Sequence, residues 1–130
     1  MARWSAAVSS EAPVTSPTVD LDAVRLLALA LPEVTEEPHF EMTSWRVNKR
    51  VIATAPPEGG RLHVFVDEDE VRASVADDPA TFEELWWGKR LSGVAVNLAG
   101  ADSERVKALL TEAWLRKAPK RLVHQFRSGA

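Results

Sequence analysis

Three runs of alternating apolar and polar residues lie almost end to end in the first half of this chain: MTSWRV (42–47), RVIATA (50–55) and RLHVFV (61–66). Alternation with a period of two marks strands with one buried face. The intervening links, 48–49 and 56–60, are far too short for a parallel crossover, which needs roughly a dozen residues. The three runs are therefore expected to pair antiparallel. Asn48-Lys49 suits a tight turn because Asn tolerates positive φ, and Pro56-Pro57-Glu58-Gly59-Gly60 reads as a loop.

Helical periodicity flanks the strands. Leu21, Val24, Leu27, Ala28 and Leu31 share one face, Thr18 or Asp20 can cap the helix, and Pro32 ends it. Glu33 to Glu41, with four Glu, Pro38 and His39, is expected to be an acidic loop. Residues 67–78 read as a short helix stopped by Pro79, and FEELWW (82–87) fits either helix or strand. Gly88-Lys89-Arg90 reads as a turn and 93–98 as a strand. Asp102 or Ser103 caps a long helix that puts Val106, Leu109, Leu110, Ala113 and Trp114 on one face. Pro119 interrupts it before a final turn or two over 120–127. Residues 1–17, rich in Ala, Ser, Thr and Pro without a period, are expected to form a flexible tail, and 18–130 a single domain. The expected fold class is α+β: a two-layer sandwich of a mostly antiparallel sheet with N- and C-terminal helices packed on one face.

Several function classes drop out. The chain has no Cys, so disulfides, thiolate metal sites and cysteine nucleophiles are absent. Its longest apolar run, Leu26 to Leu31, falls well short of the roughly 18–20 residues that cross a bilayer. A cytoplasmic protein without a membrane partner is the expectation. Phosphate-loop, dinucleotide, nucleophile-elbow and zinc-protease motifs do not occur. His39 has carboxylates close on both sides, but at a spacing that matches no rigid metal site. The adjacent pairs Glu36-Glu37 and Glu83-Glu84 point apart in regular structure, which is poor geometry for acid–base work. No enzyme activity, metal or cofactor is expected.

Strand parity assigns the faces. Leu62, Val64 and Val66; Val51, Ala53 and Ala55; Trp45 and Val47; and Val94, Val96 and Leu98 form apolar sets for the helices. The other face then carries Arg46, Arg50, Arg61, His63, Phe65 and Asn97, with Trp86 or Trp87 nearby. Such a mixture suits a polyanion or stacked bases, and equally suits the wet side of an antiparallel sheet. Charge is unevenly spread along the chain. Residues 1–112 hold all 19 acids and 11 of the 16 bases, a balance of −8, while 113–130 hold the other five bases and no acid. That basic end either orients the protein on nucleic acid or complements the negative end of the last long helix.

The strings VRLLALALPEVTEEPHF, SWRVNKRVIAT, FEELWWGKRLSGVAVNLAG and LLTEAWLRKAPKRLV resemble the MmcQ/YjbR family of small bacterial proteins. The likeness covers about residues 19–123, and its most specific parts are Leu31-Pro32, Lys49, Trp87-Gly88, Ala113-Trp114 and Ala118 to Arg121. The resemblance implies a sandwich similar to the frataxin/CyaY-like arrangement. It also implies DNA binding, by analogy with a double-wing domain that lays its sheet on DNA. Asn48 stands where many relatives have Gly, and Val94 where an aromatic is usual, which would remove a stacking platform.

Two partner readings follow. In the first, duplex DNA is held by the hairpin tips Lys49-Arg50 and Lys89-Arg90, extended by Arg46, Arg61, Lys120 and Arg121. In the second, Trp45, Trp86 and Trp87 line a pocket or interface for a small ligand or protein. The plain alternative is that Trp45 and one of the pair are core residues.

Overall fold

A computed structural model describes residues 19–129. The tail expected over 1–17, and Thr18 as a cap, lie outside the described residues. Helix α1 (Leu21–Leu29) starts at Asp20, whose carboxylate accepts the Ala23 N–H at 2.9 Å, and it buries Val24 and Ala28.

Six strands follow: β1 (Val34–His39), β2 (Met42–Val47), β3 (Arg50–Ala55), β4 (Arg61–Val64), β5 (Phe82–Trp87) and β6 (Arg90–Asn97). They form one antiparallel sheet in the order β1-β2-β3-β4-β6-β5. The β2–β3 turn has Asn48 and Lys49 at φ of 51° and 68°, both positive as a type I′ turn requires. The β5–β6 turn has Gly88 at φ 64° in its first position. FEELWW is thus a strand, and the strand expected from 93 begins at Arg90 and ends at Asn97.

The segment expected to be an acidic loop is strand β1. It pairs with β2 from Val34↔Val47 to His39↔Met42, closed by a turn with Phe40 at φ 59°. Its composition hides it, because Glu and Pro are poor strand formers. At the edge of the sheet these residues are tolerated, since an edge Pro38 forfeits no ladder bond and the Glu side chains reach water. The strand is held from β2: Ser44 Oγ donates to the Glu37 carbonyl at 2.8 Å, and Trp45 Nε1 donates to Glu36 Oε1 at 3.0 Å. Arg25 Nε of α1 donates to the same Glu36 oxygen at 2.8 Å.

Helix α2 (Glu68–Asp77) carries the chain from β4 across to the far edge at β5 and packs on β5 and β6. Helix α3 (Ser103–Lys117) lies on β3, β4 and α1, and buries Val106, Leu109, Leu110, Ala113 and Trp114. Asp67 and Asp102 cap these two helices through the Glu70 and Arg105 N–H groups. Trp114 Nε1 donates to the Pro32 carbonyl at 2.9 Å, fastening α3 to the end of α1. Pro119 turns the chain into α4 (Lys120–Gly129), whose Leu122 is buried and whose Phe126 ring stands 5.0 Å from that of Trp114. The helices cover one side of the sheet, the expected α+β arrangement.

Parity assigns most faces correctly but fails in β3. Trp45 pairs with Ala53, whereas Arg46 pairs with Val51, so Ile52 is an extra residue in β3. This bulge buries Ile52 in the core and turns Val51 to the open side. Arg50, expected on the open face, is carried to the end of α3, where its Nη1 donates to the Lys117 carbonyl at 3.5 Å. A matching bulge in β6 pairs Leu85 with Gly93 and Trp86 with Leu91, leaving Ser92 extra and Leu91 in the core. Val94 is fully buried in the core on the helix side, so its position offers no stacking platform to the open face.

Gly93 is fixed by packing. A Cβ added there would overlap the Val64 carbonyl oxygen, part of the neighbouring strand's backbone. Gly93→Ala should lower the unfolding free energy by about 1–3 kcal/mol, read as a lower urea midpoint. An unchanged midpoint would show that β4 and β6 can separate without cost.

Candidate functional site

The uncovered face is built from residues that the register places side by side. Thr54 of β3 faces His63 of β4, and His63 faces Ala95 of β6. From β1 and β2 come His39 and Met42, and from β5 come Leu85, Trp86 and Trp87. Together with Val51 and Phe65 they enclose a groove of about 740 Å³. Thr54, only 4% exposed, lies on its floor, and its hydroxyl has no hydrogen-bond partner among the described residues.

One end of this groove is cationic. Arg50 and Arg90, the first residues after the two hairpin turns, line it together with Arg116 and Lys117 from the end of α3. Arg116 Nη1 donates to the Phe65 carbonyl at 3.1 Å. That bond and the Arg50 bond to Lys117 go to neutral carbonyls and leave the positive charges uncompensated. Among the described residues no carboxylate forms an ion pair with any of the four. A second hollow of about 630 Å³ adjoins, sharing Arg50 and Arg116 and adding Lys120, His124 and Arg127. Among the described residues no Asp or Glu lines either hollow.

Lys117 records this crowding of charge. Its ammonium titrates below the usual lysine value, first through burial and then through repulsion from Arg116, Arg50 and Arg90. A bound anion would supply the opposite charge that these four side chains lack.

The residues expected from the sequence divide into two sets. Lys49, Arg50, Lys89, Arg90 and Lys120 are exposed at this end of the molecule or beside it. Arg61 instead lies at the other end of the sheet, bonded to Glu83 at 2.9 Å. Arg121 is within 3.4 Å of Glu33. Arg46 is half-buried on the open face, with its guanidinium on Ser44 Oγ at 3.1 Å and His39 Nδ1 at 3.3 Å. Trp45 does not line the groove: it is a fully buried core residue bonded to Glu36, whereas neither Trp86 nor Trp87 is a core residue, contrary to the expectation that one of the pair would be. Trp86 and Trp87 do line it. Arg116 and Lys117 belong to the basic end visible in the sequence, but their place between the two hairpins depends on packing. No group of three or more potential metal ligands occurs among the described residues.

Comparison with known proteins matches residues 29–116 to the YjbR family. The chain belongs to that family. Uncharacterized proteins of Mycobacterium bovis and Mycobacterium tuberculosis are each 30% identical to it over 124 residues, covering 81% of this chain and 93% of theirs. The crystal structure of a Deinococcus radiodurans protein with a DUF419 domain superposes with a TM-score of 0.68 at 22% identity, over 78% of this chain and 80% of that one. The YjbR sheet, its one-sided helical cover and its order of elements thus have a solved counterpart. Among the described residues no helix is long and apolar enough to cross a membrane.

His63 gives the groove a pH response. Its imidazole titrates below the usual value of 6.5, first because it is half-buried and next because Arg61 repels the proton, with Glu58 opposing. As pH falls below about 6.5 the unfolded chain takes up this proton before the folded one, so stability declines; at higher pH both states are neutral and the effect vanishes. The melting temperature of His63→Gln should therefore fall less than that of the wild type between about pH 7.5 and pH 5. Equal falls would mean that the folded protein does not resist protonation of His63.

Proposed function

We propose that the protein is a nucleic-acid-binding module that engages phosphates with the cationic end of its open sheet face and does no chemistry on them. The supporting observation is the concentration of Arg50, Arg90, Arg116, Lys117, Lys120 and Arg127 around two adjoining hollows without a lining carboxylate, in a chain of net charge −3. In an acidic chain, such segregation creates a local positive potential that net charge conceals. Lys49 and Lys89 stand in the turns that lead into Arg50 and Arg90, so both tips flank this end like wings. Compared with the residues read from the sequence, the proposed contact set loses Arg61 and Arg121, whose charges are paired, and Arg46, held by Ser44 and His39, and gains Arg116, Lys117 and Arg127.

A second reading, a site for a small ligand, is favoured by the groove's size. About 740 Å³ falls within the range of roughly 300–1,000 Å³ typical of small-molecule sites.

Anisotropy titration of labelled DNA across a salt series tests the proposal. Affinity should fall steeply between about 50 and 200 mM salt, with a log–log slope of about −0.9 per phosphate contact on duplex, or −0.7 on single strands. Arg50→Ala and Arg90→Ala should each weaken binding and make the slope shallower by about one contact. Absence of binding at low salt, or a slope indifferent to these changes, would overturn it.

A further inference from the structure

We infer that the groove holds a nucleotide whose base is unpaired, with the base against Trp87 and its phosphate at Arg90, Arg116 and Lys117. This rests on the phosphate-binding reading above and specifies what lies beside the phosphate.

The groove is ordered along its length. Apolar and aromatic walls from Phe65, Leu85 and Trp86 lead to the cationic end, where Trp87 stands directly across the ladder from Arg90. A nucleotide has the same order, a planar ring followed by a charged group. A duplex does not: it keeps the faces of its bases stacked inside, leaving its outer wall to sugar and phosphate and no ring face free for Trp87. Pressing phosphate onto apolar side chains strips its water without replacing the hydrogen bonds.

The two tryptophans differ in a way that suits stacking. Trp86, 48% exposed, is held by its Nε1 donating to Glu84 Oε1 at 3.0 Å. Trp87 is 81% exposed, and its indole N–H has no partner among the described residues. A large ring left so open at a groove wall is a free π-face, and every base can stack on one. The floor supplies polar groups for a base edge: the Thr54 hydroxyl, and the His63 imidazole, whose neutral form, favoured by burial, can both donate and accept. In a paired base the Watson–Crick edge is already used.

The same chemistry can come from a single strand or from a free mononucleotide, and one experiment separates them. The full chain is titrated at fixed salt with a labelled 12-nucleotide single strand, with the corresponding duplex, and with unlabelled AMP as competitor. The expected result is at least about tenfold tighter binding of the single strand than of the duplex. Trp87→Ala should lower single-strand affinity about 5- to 100-fold and leave duplex affinity unchanged, whereas Trp87→Phe should retain most of it. Since Trp87 lies outside the core, circular dichroism and melting temperature should show each variant folded. Quenching of tryptophan fluorescence by AMP, lost in Trp87→Ala, with no strand binding, would keep the nucleotide site and remove the polymer. Equal affinity for both DNA forms, unaffected by Trp87→Ala, would overturn the stacked base and leave the phosphate reading standing. No binding of any probe would overturn both.

Discussion

Two extra residues, Ile52 in β3 and Ser92 in β6, decide how this sheet is shaped. Each is an extra residue with no partner across the ladder, and an unmatched residue bends its strand and sharpens the local twist. Both act close to the hairpin turns at the same end of the sheet. In β3 the bulge gives the core the larger Ile52 and releases Val51; in β6 it gives the core Leu91 in place of Ser92. It also leads Arg50 to the end of α3, whose Arg116 and Lys117 line the groove with Arg50 and Arg90. Without the bulges, strict alternation would carry Val51 and Ser92 inward.

The same two positions mark where sequence reading stops. Features set by residues near one another in the chain were legible: the Asp20 and Asp102 caps, the Asn48-Lys49 turn, and the apolar set of Leu62, Val64 and Val66. A bulge leaves no mark in a run such as RVIATA, because it is a mismatch of length between two strands and not a property of either. Strand β1 was hidden differently, since Glu and Pro38 oppose an extended ladder and only the partner β2 and the edge position make it stable. For the site, the cations in turns were legible because turns are local. The neutralisation of Arg61 by Glu83, 22 residues on, and of Arg121 by Glu33, 88 residues back, was not.

Charge separation in this fold follows from where helices begin and end. Asp67 to Glu70 and Asp102 with Glu104 gather at the N-terminal ends of α2 and α3, where backbone N–H groups favour anions. Arg116 and Lys117 close α3, where carbonyls favour cations. Preferences worth well under about 2 kcal/mol each thus place acid and base at opposite ends of α3. The sheet supplies a concave wall beside the basic end, so an arrangement that stabilises helices also prepares a surface for anions.

The hydrogen bond from Trp114 to the Pro32 carbonyl spans 82 residues of sequence, and this sets a schedule for synthesis. A growing chain completes α1 and the first four strands while α3, which covers β3 and β4, has still to be made. Arg116 follows Phe65 by 51 residues, an interval of about 3–10 s at a translation speed of roughly 5–20 residues per second. Throughout it, Val47, Ala53, Leu62 and Val64 lack their helical cover. Acids and a proline on the outermost strand β1 then guard a nascent sheet against its neighbours on the same message.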